Sequence, residues 1–170
     1  FTGDLPVLEF PADTDGPGDP GEQEESSFIF TLDKELSGGI LDFALSSGAT
    51  LFMLLLAAYN ILLARYTNRE DILVGSPAFG RNHIDLQHLI GMFVNMLPLR
   101  NAPHGNKPFN AFLAEVKENA LKAYENQDYQ FEQLVWDLAE ETGKNHRLNI
   151  NTVFALDNFV SSPGYSNPLE

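Results

Sequence analysis

The sequence predicts an α/β (α+β) sandwich, and three observations carry that expectation. Short stretches that alternate apolar and polar residues interleave with longer stretches of helical spacing. One run, residues 49–66, is apolar nearly throughout, as a helix in the middle of a core would be. Hydrophobic residues make up 44% of the 170-residue chain, with 13 Phe among them, enough for a real core. The length fits one domain of ordinary size.

The elements follow in order. Residues 11–25, PADTDGPGDPGEQEE, hold six acids, no base, three Pro and three Gly. Such a composition buries too little to order itself, so a mobile linker is expected. A calcium loop needs a regular ligand spacing with a closing Glu, which is absent. SSFIFTL (26–32) alternates Phe28, Phe30 and Leu32 against Ser27, Ile29 and Thr31, the pattern of a strand. Asp33 is placed to cap a helix reaching about Ser46, weakened by Gly38 and Gly39. ATLFMLLLAAYNILLARY (49–66) is too short for a membrane span and is broken by Asn60, so it reads as a core helix capped by Thr50.

DILVGSPAFGR (71–81) gives a strand over 72–74 and then a loop. Gly75 and Gly80 have the spacing of a phosphate-binding loop, but Arg81 and Asn82 stand where Lys and Ser/Thr are required. A tight turn is the better reading. GMFVNMLPLR (91–100) reads as a buried strand with an amide, Asn95, at its centre and Pro98 three residues on. Phe109, Phe112, Leu113, Val116, Ala120, Leu121 and Tyr124 define one face of a helix, with Glu118 and Lys122 paired on the other. Asp128 is the expected N-cap of a second helix, with Phe131, Leu134, Val135 and Leu138 inward, Glu132 in the first turn and Gly143 at its end. Trp136 is expected to pack. LNINTVFALDNF (148–159) alternates as a strand with Leu148, Ile150, Thr152, Phe154 and Leu156 on its buried face.

The formal net charge of −14 argues against nucleic acid and anionic membrane surfaces as partners. With no cysteine there is neither a disulfide framework nor a thiolate metal site, and no metal is expected. A cytoplasmic setting is the expectation. The start, FTGDLPVLEF, lacks an initiator Met and a signal-peptide pattern, so a piece of a longer chain is expected.

Several stretches resemble one family, the condensation domains of nonribosomal peptide synthetases. IGMFVNMLPLR (90–100) is similar to its I/V-G-x-F-V-N-T-L-x-x-R signature, with Met96 for Thr. NQDYQFEQL (126–134) resembles H/N-Q-D-x-P-F-E, with Gln130 for Pro. Residues 49–82 resemble the intervening core, and NTVFALDNF (151–159) the strand after the last signature, although KNHRLNI departs from the usual S-R-N-P-L-F. The resemblance implies a two-lobed, chloramphenicol acetyltransferase-like fold, of which this chain would be a partial C-terminal lobe. Residues 1–25 would be the interlobe linker, 26–160 the incomplete lobe and 161–170 a tail.

The same resemblance implies an acyl/peptidyl transferase of antibiotic biosynthesis. It joins aminoacyl and peptidyl thioesters held on phosphopantetheine arms that carrier domains supply, with no cofactor bound directly. The family's H-H-x-x-x-D-G signature is not present: His83, His88, His104 and His146 are scattered. No catalytic residue is therefore assigned, and the isolated chain is expected to be inactive. The implied partners are the N-terminal lobe, carrier domains and the synthetase's adenylation domain. Asn95, Arg100 and Arg81 are the candidates for lining the substrate tunnel, with Asp128, Phe131 and Glu132 as structural motif residues. Asn95 has two open readings: a hydrogen bond to substrate or pantetheine, or satisfaction of nearby backbone. Arg100 and Arg81 are equally open to ordinary roles. Two rivals remain. One is an epimerization-type relative, which Phe93-Val94-Asn95 disfavours. The other is a non-catalytic carrier-docking module, which a basic patch of Arg65, Arg69 and Arg81 would favour. A lobe without its partner should expose apolar surface and an open sheet edge, and so self-associate.

Overall fold

The computed structural model describes residues 5–11, 26–80, 84–86, 88–142 and 148–157. Four helices and two strands follow in the order α1 (Lys34–Ser46), α2 (Leu51–Thr67), β1 (Ile72–Ala78), β2 (Asn95–Asn101), α3 (Phe109–Glu125) and α4 (Phe131–Thr142). A 3-10 turn, Ile84–Leu86, lies between the strands.

The helix starts are chemically specified. The Asp33 carboxylate accepts from the Leu36 N–H at 2.8 Å. The Thr50 hydroxyl accepts from the Met53 N–H at 3.2 Å. Each satisfies a donor that the first helical turn leaves without a partner. At its far end α2 stops on Asn68, whose φ of 52° is the left-handed conformation that Asn tolerates. The core reading of α2 holds on the side of Met53, Leu54, Leu56, Ala57 and Leu63, which are buried, whereas Leu62 and Tyr66 face outward. No described helix is long and apolar enough to cross a membrane.

β1 and β2 pair antiparallel, from Ile72 opposite Asn101 to Ala78 opposite Asn95. On its other side β1 holds a parallel bridge: the Gly75 N–H donates to the Thr152 carbonyl, and the Phe154 N–H donates to the Gly75 carbonyl, both at 2.9 Å. Gly75 therefore turns its main-chain groups away from β2, and Gly75–Pro98 is a pair without mutual hydrogen bonds. By the two-residue period Pro77–Met96 and Leu73–Arg100 are the same. Both prolines thus sit where the β1–β2 ladder needs no donor.

Two cores form, one on each face of the sheet. Ile72, Val74 and Leu99 pack with Leu56, Leu63, Phe112 and Val116 from α2 and α3. On the opposite face Leu73 packs with Leu138, Leu148, Phe131, Leu134 and Ile150. The layers are helices, sheet and helix, an α/β arrangement. The short turn 126–130 carries the chain from one face to the other.

Several expectations are corrected. Residues 26–32 form no strand; Phe28, Ile29 and Phe30 are 87%, 80% and 69% exposed. Residues 5–11 pack on the body: Leu8 is 3% exposed in the first core and its carbonyl accepts from Asn151 Nδ2 at 2.5 Å. Residues 148–157 alternate in burial as expected but, among the described residues, pair through the bridge of Val153 to Gly75 and form no longer ladder. Trp136 is 72% exposed and does not pack. Gly75 lies inside β1 rather than in a turn. Most of the acidic stretch, Arg81, Gly143 and the tail lie outside the described residues.

Candidate functional site

The site is built where β1 ends and β2 begins. Chain leaving β1 passes Gly80, whose φ is +60°, and a Cβ there would lie 2.1 Å from the Phe93 carbonyl oxygen. Only glycine permits this crossing. Two residues later Asn95 opens β2, at the strand's first position and not at its centre.

Asn95 is 6% exposed, and its amide is fully used. Nδ2 donates to the carbonyls of Gln127 and Tyr129, both at 2.8 Å. Oδ1 accepts from the Phe131 N–H at 3.1 Å and the Met96 N–H at 2.9 Å. A carboxamide has two donors and two acceptor sites, and all four are engaged with main chain. Of the two readings of Asn95, the geometry realises the backbone one. The signature-like segments 90–100 and 126–134 thereby meet through one side chain.

This corrects the expected cap of α4. Asp128 is exposed in the turn and makes no cap bond; the Phe131 N–H, first in the helix, is satisfied by Asn95 from another element. Glu132 does stand in the first turn, where the helix dipole favours an acid. Phe131 packs into the second core. The signal was present in the sequence as an amide whose bonding capacity matches what a tight turn before a helix leaves over.

Beside this tie lies a cleft of about 370 Å³ at the C-terminal end of β1. Phe52, Phe79, Gly80 and Leu156 contribute walls, and Gln127, held by Asn95, closes one side. Ser76 and Tyr124 bring hydroxyls to it, and Ser76 is 2% exposed. Burial raises the Tyr124 phenol above its ordinary value, and a hydrogen bond with Ser76 pulls the other way. Phe52 meets Tyr124 edge-on at 6.1 Å between ring centroids. An aromatic cleft with two fixed hydroxyls suits a slender chain carrying amide or carbonyl groups.

Arg100 is not directed at this cleft. Its guanidinium grips Asp71 with two bonds, Nε to Oδ1 at 2.9 Å and Nη2 to Oδ2 at 2.7 Å, and this pairing raises its pKa. That geometry fixes the strand end, the ordinary role. Arg65 and Arg69 line a separate cavity with Lys107 and His104, at the opposite end of β1. Glu70 holds His104 there, Glu115 holds Lys107 and Glu9 approaches Arg69, so little unbalanced positive charge results. Among the described residues no group of three or more His, Asp and Glu could hold a metal ion.

The chain's relatives agree with its signatures. The family description "Condensation domain" matches residues 1–168. Bacitracin synthase 3 of Bacillus licheniformis is 48% identical over 159 residues, which is 94% of this chain and 2% of that protein. Gramicidin S synthase 2 of Brevibacillus brevis is 43% identical over 158 residues, 93% of this chain and 4% of that one. The condensation domain of the polyketide synthase MokA superposes with a TM-score of 0.66 at 25% identity, over 86% of this chain and 33% of that structure. A four-domain nonribosomal peptide synthetase, AB3403, bound to AMP and glycine, shares the fold with a TM-score of 0.69 at 21% identity, over 80% of this chain and 10% of that one. The chain thus spans a small fraction of the synthetases it matches and about a third of a solved condensation domain. With the family match running nearly end to end and identities near one half, the chain belongs to the condensation domain family.

Proposed function

We propose that this chain belongs to the C-terminal lobe of a two-lobed condensation domain that joins carrier-bound aminoacyl and peptidyl thioesters. In that reaction an acceptor amine attacks the donor thioester carbonyl. The C–N bond forms, the C–S bond breaks, and the donor's pantetheine leaves as the thiol after taking up a proton. The chain carries no paired-histidine signature, so proton handling belongs to the other lobe. Its own contribution is one wall of the channel: Ser76 and Tyr124 hydrogen-bond the amides of a pantetheine arm, and Phe52 and Phe79 flank it. Asn95 acts as a positioning residue by holding the Gln127 side of the cleft.

The observation that carries this reading is the meeting of two family signatures through Asn95 at the edge of that cleft. Carrier domains and an adenylation domain are the expected neighbours in the synthetase, and the pantetheine arms come from the carriers. Localisation to the cytoplasm is part of the same proposal. A pantetheine thioester titrated into the 15N-labelled chain tests the wall. Shifts are expected at Ser76 to Gly80, Tyr124 and Gln127, and Ser76→Ala should weaken them. Shifts confined to the cavity around Arg65 and Lys107 would contradict the assignment.

A further inference from the structure

The cleft at the C-terminal end of β1 contains a charge that a neutral pantetheine arm leaves unused. Asp157 lines it, and with the described residues its carboxylate makes neither an ion pair nor a hydrogen bond. No Lys, Arg or His is among the described residues of its walls. Three aromatic rings are: Phe52, Phe79 and Tyr124. Phe52 is propped by Phe154, 5.5 Å away between ring centroids, and by Tyr124. Phe79 is 61% exposed and leaves a ring open to whatever enters. The cavity around Arg65 is different, because Glu70 stands among its bases and bonds to His104.

Position sorts the roles within the cleft. Ser76 is buried with its hydroxyl beside that of Tyr124, whereas Asp157 is exposed. An unpaired carboxylate attracts a cation by Coulomb's law, and aromatic rings beside it attract the same cation through their quadrupoles. The same carboxylate repels phosphate. The phosphate end of an arm therefore turns away from Asp157, and the acyl end turns toward it.

We propose that the cleft is selective for a carrier-bound amino-acid residue with a cationic side chain, an ammonium or guanidinium group that Asp157 receives among Phe52, Phe79 and Tyr124. This rests on the reading of the cleft as one wall of the channel, and it deepens that reading by naming the class of substrate. Asp157 is the specificity-determining residue. A neutral aliphatic side chain of equal length fills the same space and leaves the carboxylate without a partner, so discrimination comes from charge and not from size.

Two probes that differ only in that charge test it: Nα-acetyl-lysine and Nα-acetyl-norleucine, each joined through an amide to aminopantetheine. Acetylation removes the α-ammonium, so any preference belongs to the side chain. Each is titrated into the 15N-labelled chain at low salt. The lysine probe should bind about ten-fold more tightly, the scale of one partly solvated charge pair. Asp157→Asn should abolish the preference by weakening the lysine probe alone. Asp42→Asn removes an equal charge from an exposed site on α1 that does not line the cleft, and should leave the preference intact. Equal affinities, with shifts from Ser76 to Gly80 for both probes, would overturn the selectivity and leave the channel wall standing. No shift there with either probe would sink both. A preference that survives Asp157→Asn, or falls as much with Asp42→Asn, would assign it to the chain's overall negative charge and overturn the proposal. Should Asp157→Asn fail to fold, added salt replaces it: the preference of the unaltered chain should shrink as ionic strength rises, and a salt-independent preference would overturn the proposal.

Discussion

Asn95 ties four main-chain groups with one side chain. Replacing it with Asp keeps the size but removes both donors and sets a carboxylate against the Gln127 and Tyr129 carbonyls. Urea unfolding should show a loss of about 2 kcal/mol or more, the cost of buried polar groups left without partners. Asn95→Ala should cost a similar amount, and Asp128→Ala almost nothing, because Asp128 is exposed and caps no helix. An unchanged midpoint for Asn95→Ala would remove the tie from the account. Sequence reading identified Asn95 as the anomalous letter, because an amide among apolar neighbours needs a reason. It could not choose the partner, since Gln127, Tyr129 and Phe131 lie more than thirty positions away and only the tertiary path of the turn brings them near. The tyrosines supply a second check. Burial raises Tyr59 and Tyr124, and hydrogen bonding with Asp137 raises Tyr129, from a common reference of 10.0. Their folded-state pKa values exceed the unfolded ones. The stability they confer is therefore complete below pH 10 and is lost as pH climbs through the raised values. Spectrophotometric titration should find these phenols ionising late, and unfolding should release them to the ordinary value; simultaneous ionisation near 10 in the folded chain would contradict this.

Among the elements, β1 is the pivot, because both its edges and both its faces are engaged. Gly75 makes this possible: a Cβ there would lie 2.7 Å from Ile150 Cγ2 and 2.8 Å from Met96 Sδ. Gly75→Ala should destabilise by about 1–3 kcal/mol through overcrowding. Shortening both neighbours, Ile150→Ala with Met96→Ala, removes the contacted Cγ2 and Sδ and should recover part of it. Gly80→Ala should be worse and beyond such rescue, because its neighbour is the Phe93 main chain and its φ is positive. Equal rescue of the two variants would show that side-chain crowding governs both. The four helices were legible from spacing, and α1 and α2 also from their caps, with bounds close to those found, because an amphipathic or core helix carries its own local signal. Strands were read less well. Residues 26–32 have the pattern of a strand and no partner, and 148–157 have the predicted buried face but only one bridged residue. A strand is a property of a pair, and half of each pair is not local. Residues 91–94 were read as strand because they are apolar, yet Met92 and Val94 are exposed and pairing starts only at Asn95.

For the whole molecule, the anticipated open edge is largely closed: Pro98, Asn95 and Asn119 between them blunt the outer side of β2, a protection found on natural edge strands. Exposed apolar surface remains, at Phe28 to Phe30 and at Phe79, Ile90 and Met92. Any association of the isolated chain should therefore be weak, apolar and without added sheet. Sedimentation across a concentration series, with infrared amide bands as the second readout, would contradict this by showing tight dimers rich in new strand. The family was legible because its two signatures are contiguous words in the sequence; the cleft was not, because Phe52, Ser76, Tyr124 and Leu156 are scattered along the chain. The central claim is that this body holds one wall of a channel whose proton chemistry lies in another lobe. Peptide-bond formation between two loaded carrier domains, followed by mass spectrometry of the carriers, tests it most directly. The chain alone should give no product, and the chain supplemented with an N-terminal lobe bearing the paired-histidine signature should give the joined thioester. Product from the chain by itself, or none from a demonstrably assembled pair, would contradict the account.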